Sequence, residues 1–136
     1  SKERWERVKN IRFMGQVPHS EAVLWQKAAD VLVVPNTAKE EISAHYTSPM
    51  KLFEYMASGT PIVASDIPSI REVVDDKIVY FAQPDDAGSF AQAIQKALGD
   101  PEAPERASRA SALAQEHTWE RRAQRIRAAI EAKMGL

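Results

Sequence analysis

One segment of the chain, residues 48–66, constrains the fold most, because a helix, a tight turn and a buried strand follow one another within it. Ser48 and Pro49 predict the helix start, since serine is a favoured N-cap and proline fits the first helical position. Gly59 predicts the residue of positive φ after the helix, and a proline two residues later prevents the helix from continuing. Ile62–Ala64 then reads as a short buried strand. This αβ unit indicates a doubly wound sheet.

Other apolar segments supply further strands of such a sheet. Val31–Val34 is a continuous apolar run, which is typical of a parallel strand covered by helices on both faces. Ile11–Met14 and Ile78–Phe81 are predicted as additional strands. Helices are predicted between and after these strands. The first is capped by Ser20, the second runs from Pro68 to Val74, and the third is capped by Asp85 and ends at Gly99. Two C-terminal helices follow within residues 105–134. We therefore expect an α/β fold, a parallel sheet flanked by helices.

The start of the helix after Ser48 has the features of an anion site. The amides of Met50 and Lys51 lie at the positive end of the helix dipole, and Lys51 adds a full charge. Glu54 follows three residues after Lys51 on the same side of the helix. A phosphate at the helix tip would then have a hydroxyl-bearing ring beside Glu54. An exposed Lys51–Glu54 ion pair without any ligand is the alternative, and these residues alone leave both interpretations open.

The composition narrows the function classes. A net charge of −1 argues against a dedicated nucleic-acid binder, and the lack of cysteine excludes disulfides and thiolate metal sites. The three histidines have no metal-site spacing, and we expect only His45, in the loop before the helix, to be placed to meet a ligand. No apolar run approaches the roughly 18 residues of a membrane span. The expected compartment is the cytoplasm.

Four blocks of the sequence together resemble a known family. They are IRFMGQVP at 11–18, AADVLVVP at 28–35, SPMKLFEYMASGTPIVAS at 48–65 and HTWERRA at 117–123. In this order they are similar to the C-terminal, donor-binding half of group 1 (family 4) retaining glycosyltransferases of the GT-B fold. The resemblance implies that residues 1–136 form a Rossmann-like nucleotide-sugar-binding domain without its first strands, with C-terminal helices at about 105–134.

The resemblance also implies roles for individual residues. The donor is a nucleoside-diphosphate sugar bound without metal or other cofactor, with the Met50 and Lys51 amides and the Lys51 ammonium on the diphosphate. Glu54 matches the family glutamate that holds the ribose hydroxyls. A second family glutamate, which contacts the donor sugar, is replaced here by Tyr46. Ser48 and Pro49 stand where the family has a glycine-rich turn, and Ser48 both caps the helix and contacts phosphate.

The intact enzyme is then expected to transfer a sugar with retention, in cell-surface polysaccharide, exopolysaccharide or glycolipid synthesis. Its expected partners are the nucleotide-sugar donor and an N-terminal acceptor domain of the same protein, with no nucleic acid. Peripheral association with the inner face of the membrane is a further expectation for the full-length enzyme. The isolated chain is expected to be inactive. Because Tyr46 departs from the family pattern, a non-catalytic nucleotide-binding or scaffold Rossmann-like module is the alternative.

Overall fold

The computed structural model describes residues 2–39 and 50–135 of the chain. Strands and helices alternate through its central part, and helices lie at both ends. In chain order the elements are α1 (Lys2–Glu6), α2 (His19–Ala28), β1 (Leu32–Val34), α3 (Met50–Ala57), β2 (Ile62–Ser65), α4 (Pro68–Arg71), β3 (Tyr80–Ala82), α5 (Ala87–Gly99), α6 (Ala103–Glu116) and α7 (Trp119–Met134).

The described sheet has three parallel strands in the order β1-β2-β3. Val63 of β2 lies opposite both Val33 of β1 and Tyr80 of β3. All four residues of β2 are buried, as expected for a central parallel strand covered on both faces. The doubly wound parallel sheet predicted from the sequence is therefore confirmed.

Side chains that alternate along β2 contribute to two cores, one on each face of the sheet. Ile62 and Ala64 belong to the core shared with α3 and α6. Val63 belongs to the core shared with α5. Fully burying one such aliphatic side chain contributes about 1.5–3 kcal/mol relative to its exposure. The helices are therefore held to the sheet mainly by apolar burial, and α3 is fixed between the sheet and α6.

The carboxyl ends of the strands lie at one edge of the sheet. The Ser65 hydroxyl, at the end of β2, donates to the Asn36 carbonyl at 2.6 Å, just beyond β1. The guanidinium of Arg71 donates to both oxygens of Asp66, at 2.7 and 2.9 Å. A helix that joins two parallel strands runs back across the sheet, so the N-terminal ends of α3, α4 and α5 lie at this edge. Open α/β sheets bind their ligands here.

Two local predictions from the sequence are wrong. Ile11–Met14 is not a strand, and Ile11, Phe13 and Met14 are each more than one third exposed. An apolar run forms a strand only beside a partner, and β1 pairs with β2 alone among the described residues. The N-cap of α5 is Asp86, not Asp85: the Asp86 carboxylate accepts from the Ser89 amide, whereas Asp85 has a φ of 60°.

Smaller differences occur in the other helices. Helix α2 begins at His19, one residue before its predicted cap, and α4 ends at Arg71. Ile126 and Ile130 of α7 are four positions apart, on one side of the helix, but they are 61% and 51% exposed, so they are not packed against the described core. None of the described helices combines the length and apolar character needed to cross a membrane.

Candidate functional site

Helix α3 presents two different faces because its apolar residues recur at helical spacing. Leu52 and Met56 are 3% and 0% exposed and pack into the core beside α6. Met50, Phe53, Glu54 and Ala57 lie on the other side, spaced as neighbours on a helix surface, and line a pocket. The burial of one face therefore determines which side chains reach the pocket.

The Glu54 carboxylate is held by side chains of the neighbouring helix α2. Its Oε1 accepts a hydrogen bond from Gln26 Nε2 at 2.9 Å, and His19 Nδ1 lies 3.7 Å from the same oxygen. Gln26 is 8% exposed, whereas the Glu54 side chain is 32% exposed. Glu54 is thus fixed from its buried side and still accessible from the pocket.

The orientation of the Gln26 amide follows from the charge beside it. If the amide oxygen of Gln26 faced the carboxylate, two hydrogen-bond acceptors would lie against each other. The amide nitrogen, which is a donor, therefore faces Glu54. Gln26 Oε1 is consequently buried without a hydrogen-bond partner among the described residues. The Gln26 main-chain carbonyl accepts from the Thr60 hydroxyl at 2.7 Å, which ties this end of α2 to the turn after α3.

The pocket has a volume of about 300 Å³. Phe53 and His117 form part of its wall as a stacked pair, with ring centroids 4.9 Å apart. The complete lining is His19, Met50, Phe53, Glu54, Ala57, Ala114, His117 and Thr118. An apolar and aromatic wall beside one fixed carboxylate is a common composition for a small-molecule site, and 300 Å³ is at the lower end of the usual range of about 300–1,000 Å³.

Lys51 does not form the helix ion pair that the sequence left open. Its Nζ lies 5.8 Å from the centroid of the Tyr55 ring. Within the described part of the chain, the basic side chain nearest to the Glu54 carboxylate is His19, 3.7 Å away. The lysine charge therefore stays in the first turn of α3, at the positive end of the helix dipole, and Glu54 does not neutralise it.

The structure brings some of the predicted site residues together. Met50 and Glu54 line one pocket, and Lys51 lies in the same turn of α3 as Met50. Four other predicted residues lie outside the described part of the chain, so their roles stay predictions: His45, Tyr46, Ser48 and Pro49.

Three residues of the site were missed by sequence reasoning. His19 and His117 line the pocket, which contradicts the expectation that His45 alone among the histidines is placed to meet a ligand. Gln26 was not considered, because it is 28 positions from Glu54 and only the packing of α2 against α3 brings the two together. No local spacing signal marks these contacts. Across residues 2–39 and 50–135, no group of three or more metal-ligating side chains is assembled.

A solved structure of sucrose-phosphate synthase from Thermosynechococcus elongatus matches this fold. It superposes on 98% of this chain and on 32% of its own, with a TM-score of 0.76 and 26% sequence identity. The parallel sheet with helices on both faces is therefore a Rossmann-like unit of the GT-B type.

The sequence of this chain also matches the model of a known protein family. The model of the family described as "Glycosyl transferases group 1" matches residues 1–100, and this chain belongs to that family. Phosphatidyl-myo-inositol mannosyltransferase of Mycobacterium leprae is 34% identical over 88 residues, which are 64% of this chain and 22% of the relative. Glycogen synthase of Mycobacterium tuberculosis is 33% identical over 103 residues, 74% of this chain and 23% of the relative. The chain thus spans about a fifth of the length of these curated relatives.

Proposed function

We propose that this chain binds a nucleoside-diphosphate sugar as the donor-side part of a retaining glycosyltransferase. Glu54 holds the ribose hydroxyls, and the Met50 and Lys51 amides with the Lys51 ammonium hold the diphosphate. The proposal also assigns Ser48 and Pro49 to the diphosphate and Tyr46 to the donor sugar, although these three residues lie outside the described part of the chain. Membership of the group 1 glycosyltransferase family supports the proposal.

The single observation that carries the proposal is the state of Glu54. Its carboxylate is held by Gln26 at 2.9 Å, opens onto a pocket of about 300 Å³, and leaves the lysine one turn away unneutralised. A carboxylate accepts hydrogen bonds from two adjacent hydroxyls, which a ribose offers.

These groups would act on the reaction through position and charge. Negative charge accumulates on the nucleoside diphosphate as the bond to the sugar breaks, and helix-terminal amides with an ammonium stabilise it there. Glu54, by holding the ribose, fixes the sugar relative to the acceptor. No metal or other cofactor is assigned a role in this proposal.

The acceptor belongs to the same proposal. Relatives named as a phosphatidyl-myo-inositol mannosyltransferase and an alpha-monoglucosyldiacylglycerol synthase, the latter from Streptococcus pneumoniae, support glycolipid synthesis. A relative named as glycogen synthase supports polysaccharide synthesis. We propose that an acceptor domain of the same protein faces the site from across a cleft, and that the full-length enzyme works in the cytoplasm, in peripheral contact with the inner face of the membrane.

Calorimetry on the full-length protein tests the role of Glu54. UDP, GDP and ADP are titrated first, and the tightest binder is then compared with its 2′-deoxy analogue. The unsubstituted protein should bind the ribonucleotide about 10- to 100-fold more tightly, because a lost hydrogen bond to a charged group costs about 1.5–3 kcal/mol. In Glu54→Ala the two nucleotides should bind with equal, weaker affinity.

A matched control is Glu105→Ala, which removes an exposed glutamate paired with Arg109 on α6, away from the pocket. This variant should keep both the affinity and the preference for ribose. If Glu54→Ala still prefers the ribonucleotide, the ribose assignment is wrong. If none of the three diphosphates binds the unsubstituted protein, donor binding itself is wrong. Binding without sugar transfer would favour the alternative, a non-catalytic nucleotide-binding or scaffold module.

A further inference from the structure

The side chain of Gln26, on α2, has a hydrogen-bond partner at one end only. It is 8% exposed, and its Nε2 donates to Glu54 Oε1 at 2.9 Å. The other polar atom of the amide, Gln26 Oε1, is buried without a hydrogen-bond partner among the described residues. Buried polar atoms are nearly always paired, and each exception has a cost in stability. An amide with one unpaired buried atom is therefore a poor choice for stability alone.

The packing of α2 against α3 does not depend on this amide. An apolar side chain of the same length would remove the unpaired acceptor, and the Glu54 side chain, which is 32% exposed, could accept from water instead. The main chain ties this end of α2 to the turn after α3, because the Gln26 carbonyl accepts from the buried Thr60 hydroxyl at 2.7 Å. That bond would persist without the amide.

The amide does determine how the Glu54 carboxylate is oriented. A glutamate side chain has three rotatable bonds, and one that opens onto a pocket can reorient unless a partner holds it. Gln26 Nε2 bonds to Glu54 Oε1, and His19 Nδ1 lies 3.7 Å from the same oxygen. Glu54 Oε2 has no hydrogen-bond partner within residues 2–39 and 50–135. Glu54 thus has one oxygen held by α2 and one available to a ligand.

We propose that Gln26 is a positioning residue for Glu54: its amide nitrogen holds the carboxylate in the orientation that accepts the ribose hydroxyls, and its amide oxygen stays unpaired as a consequence. The inference rests on the proposed function, because ribose is the ligand proposed for Glu54. The pocket lining includes Glu54 and His19 but not Gln26. Gln26 therefore acts on the nucleotide only through the carboxylate that it holds.

Without the amide of Gln26, the carboxylate of Glu54 would have to be immobilised when the nucleotide binds. Immobilising one such side chain weakens binding by about 2- to 10-fold. The loss is greatest for the ribonucleotide, which offers both hydroxyls to Glu54, and smaller for its 2′-deoxy analogue. The preference for ribose should therefore fall when the amide is removed.

Three variants of the full-length protein separate positioning from stability. Gln26→Met keeps the length and volume of the side chain and removes the amide. Gln26→Glu keeps the shape and can donate to Glu54 only while it carries a proton. Thr60→Val is the matched control, since it removes the hydroxyl bonded to the Gln26 main-chain carbonyl and leaves the contact between Gln26 and Glu54 in place.

The readouts are the Tm and the ribose preference, which is the Kd of the 2′-deoxy analogue divided by the Kd of the ribonucleotide, both measured by calorimetry. Gln26→Met should lower the ribose preference by about 2- to 10-fold and leave the Tm unchanged or raise it. Thr60→Val should lower the Tm, because it leaves a buried carbonyl unpaired, and keep the ribose preference.

Gln26→Glu adds a readout that depends on pH. Two carboxyls in contact share a proton at low pH and repel each other once both are ionised. The ribose preference of this variant should equal that of the unsubstituted protein at pH 5 and fall below it at pH 8. The unsubstituted protein measured at both pH values is the reference, which also corrects for any change in the charge of His19 beside Glu54.

An unchanged ribose preference in Gln26→Met overturns the positioning role, even where its Tm falls, while the preference of the unsubstituted protein stands. An equal fall in Thr60→Val also overturns it, because the effect would then follow the packing of α2. If Gln26→Met does not fold, Gln26→Glu decides, and a preference that follows the reference at both pH values contradicts the proposal. If the unsubstituted protein binds a diphosphate without preferring ribose, the role of Glu54 fails; if it binds none, donor binding fails. The positioning role fails with either.

Discussion

At the scale of the residue, the role of a side chain depends on its nearest partner more than on its spacing. Sequence spacing put Lys51 and Glu54 on one side of a helix, where an ion pair and a ligand site were equally consistent with it. The structure contains no ion pair between the two residues, because Lys51 lies over Tyr55 and Glu54 is held by Gln26 of another helix. No local pattern predicts the second contact, since it forms only when α2 packs beside α3.

A second residue-scale feature is the environment of Tyr80 on β3. Tyr80 is 3% exposed, its hydroxyl donates to Asp100 at 2.6 Å, and the Arg106 guanidinium lies 4.5 Å from the centroid of its ring. Burial and then the hydrogen bond to Asp100 raise the pKa of Tyr80 to about 12. The phenol therefore keeps its proton in the folded chain at a pH where an unfolded tyrosine, with a pKa of about 10, has lost it.

This pKa predicts an alkaline loss of stability. A raised folded-state pKa contributes stability that is complete below pH 10 and declines as the pH rises toward 12. The Tm, followed by circular dichroism from pH 8 to 11.5, should fall more steeply above pH 10 in the unsubstituted chain than in Tyr80→Phe. Tyr55→Phe removes another tyrosine and should keep the steep fall. Parallel curves for the unsubstituted chain and Tyr80→Phe would contradict the prediction.

At the scale of the element, a strand prediction from an apolar run was correct when a neighbouring strand was available to pair with it. β1 and β2 were found within one residue of their predicted bounds, and β3 was found two residues later than predicted at its start. Ile11–Met14 has the same local character but is not a strand, because strand formation needs a partner and not only propensity. Helix α3 was predicted correctly over its described length, Met50–Ala57, and Gly59 after it has the predicted positive φ, 76°. Its predicted cap, Ser48, lies outside the described residues.

The contrast between α3 and α7 gives a prediction about stability. Met56 is 0% exposed on α3, whereas Ile130 is 51% exposed on α7, although each residue follows another large apolar residue of its helix by four positions. In urea denaturation of the 136-residue chain, Met56→Ala should lower the free energy of unfolding by about 2–5 kcal/mol, the usual cost of a buried cavity. Ile130→Ala should change it by less than about 0.5 kcal/mol.

The comparison between these variants is controlled for helix propensity, since each places alanine, the best helix former, within a helix. A large loss in Ile130→Ala would mean that α7 packs on the core in solution. A small loss in Met56→Ala would mean that the interface of α3 with α6 is not the centre of the fold.

At the scale of the whole molecule, the fold class was the most predictable level, because alternating helix and strand patterns leave few arrangements other than a parallel sheet. The resemblance to group 1 glycosyltransferases is confirmed by the family match over residues 1–100, which contain three of the four blocks. The complete site was less predictable. Its described part is a pocket of about 300 Å³, and the chain spans about a fifth of the relatives' length.

The last prediction follows from the fact that the chain spans only about a fifth of its relatives' length. The 136-residue chain alone should bind a nucleoside diphosphate more weakly than the full-length protein and should release no sugar from a nucleotide sugar. The full-length protein should release it slowly to water, and the anomeric proton in NMR spectra recorded before mutarotation should show the configuration of the donor. Inversion would overturn the retaining mechanism. Turnover by the isolated chain, at a rate that Glu54→Ala abolishes, would show that the catalytic groups lie within these residues and not in the proposed acceptor domain.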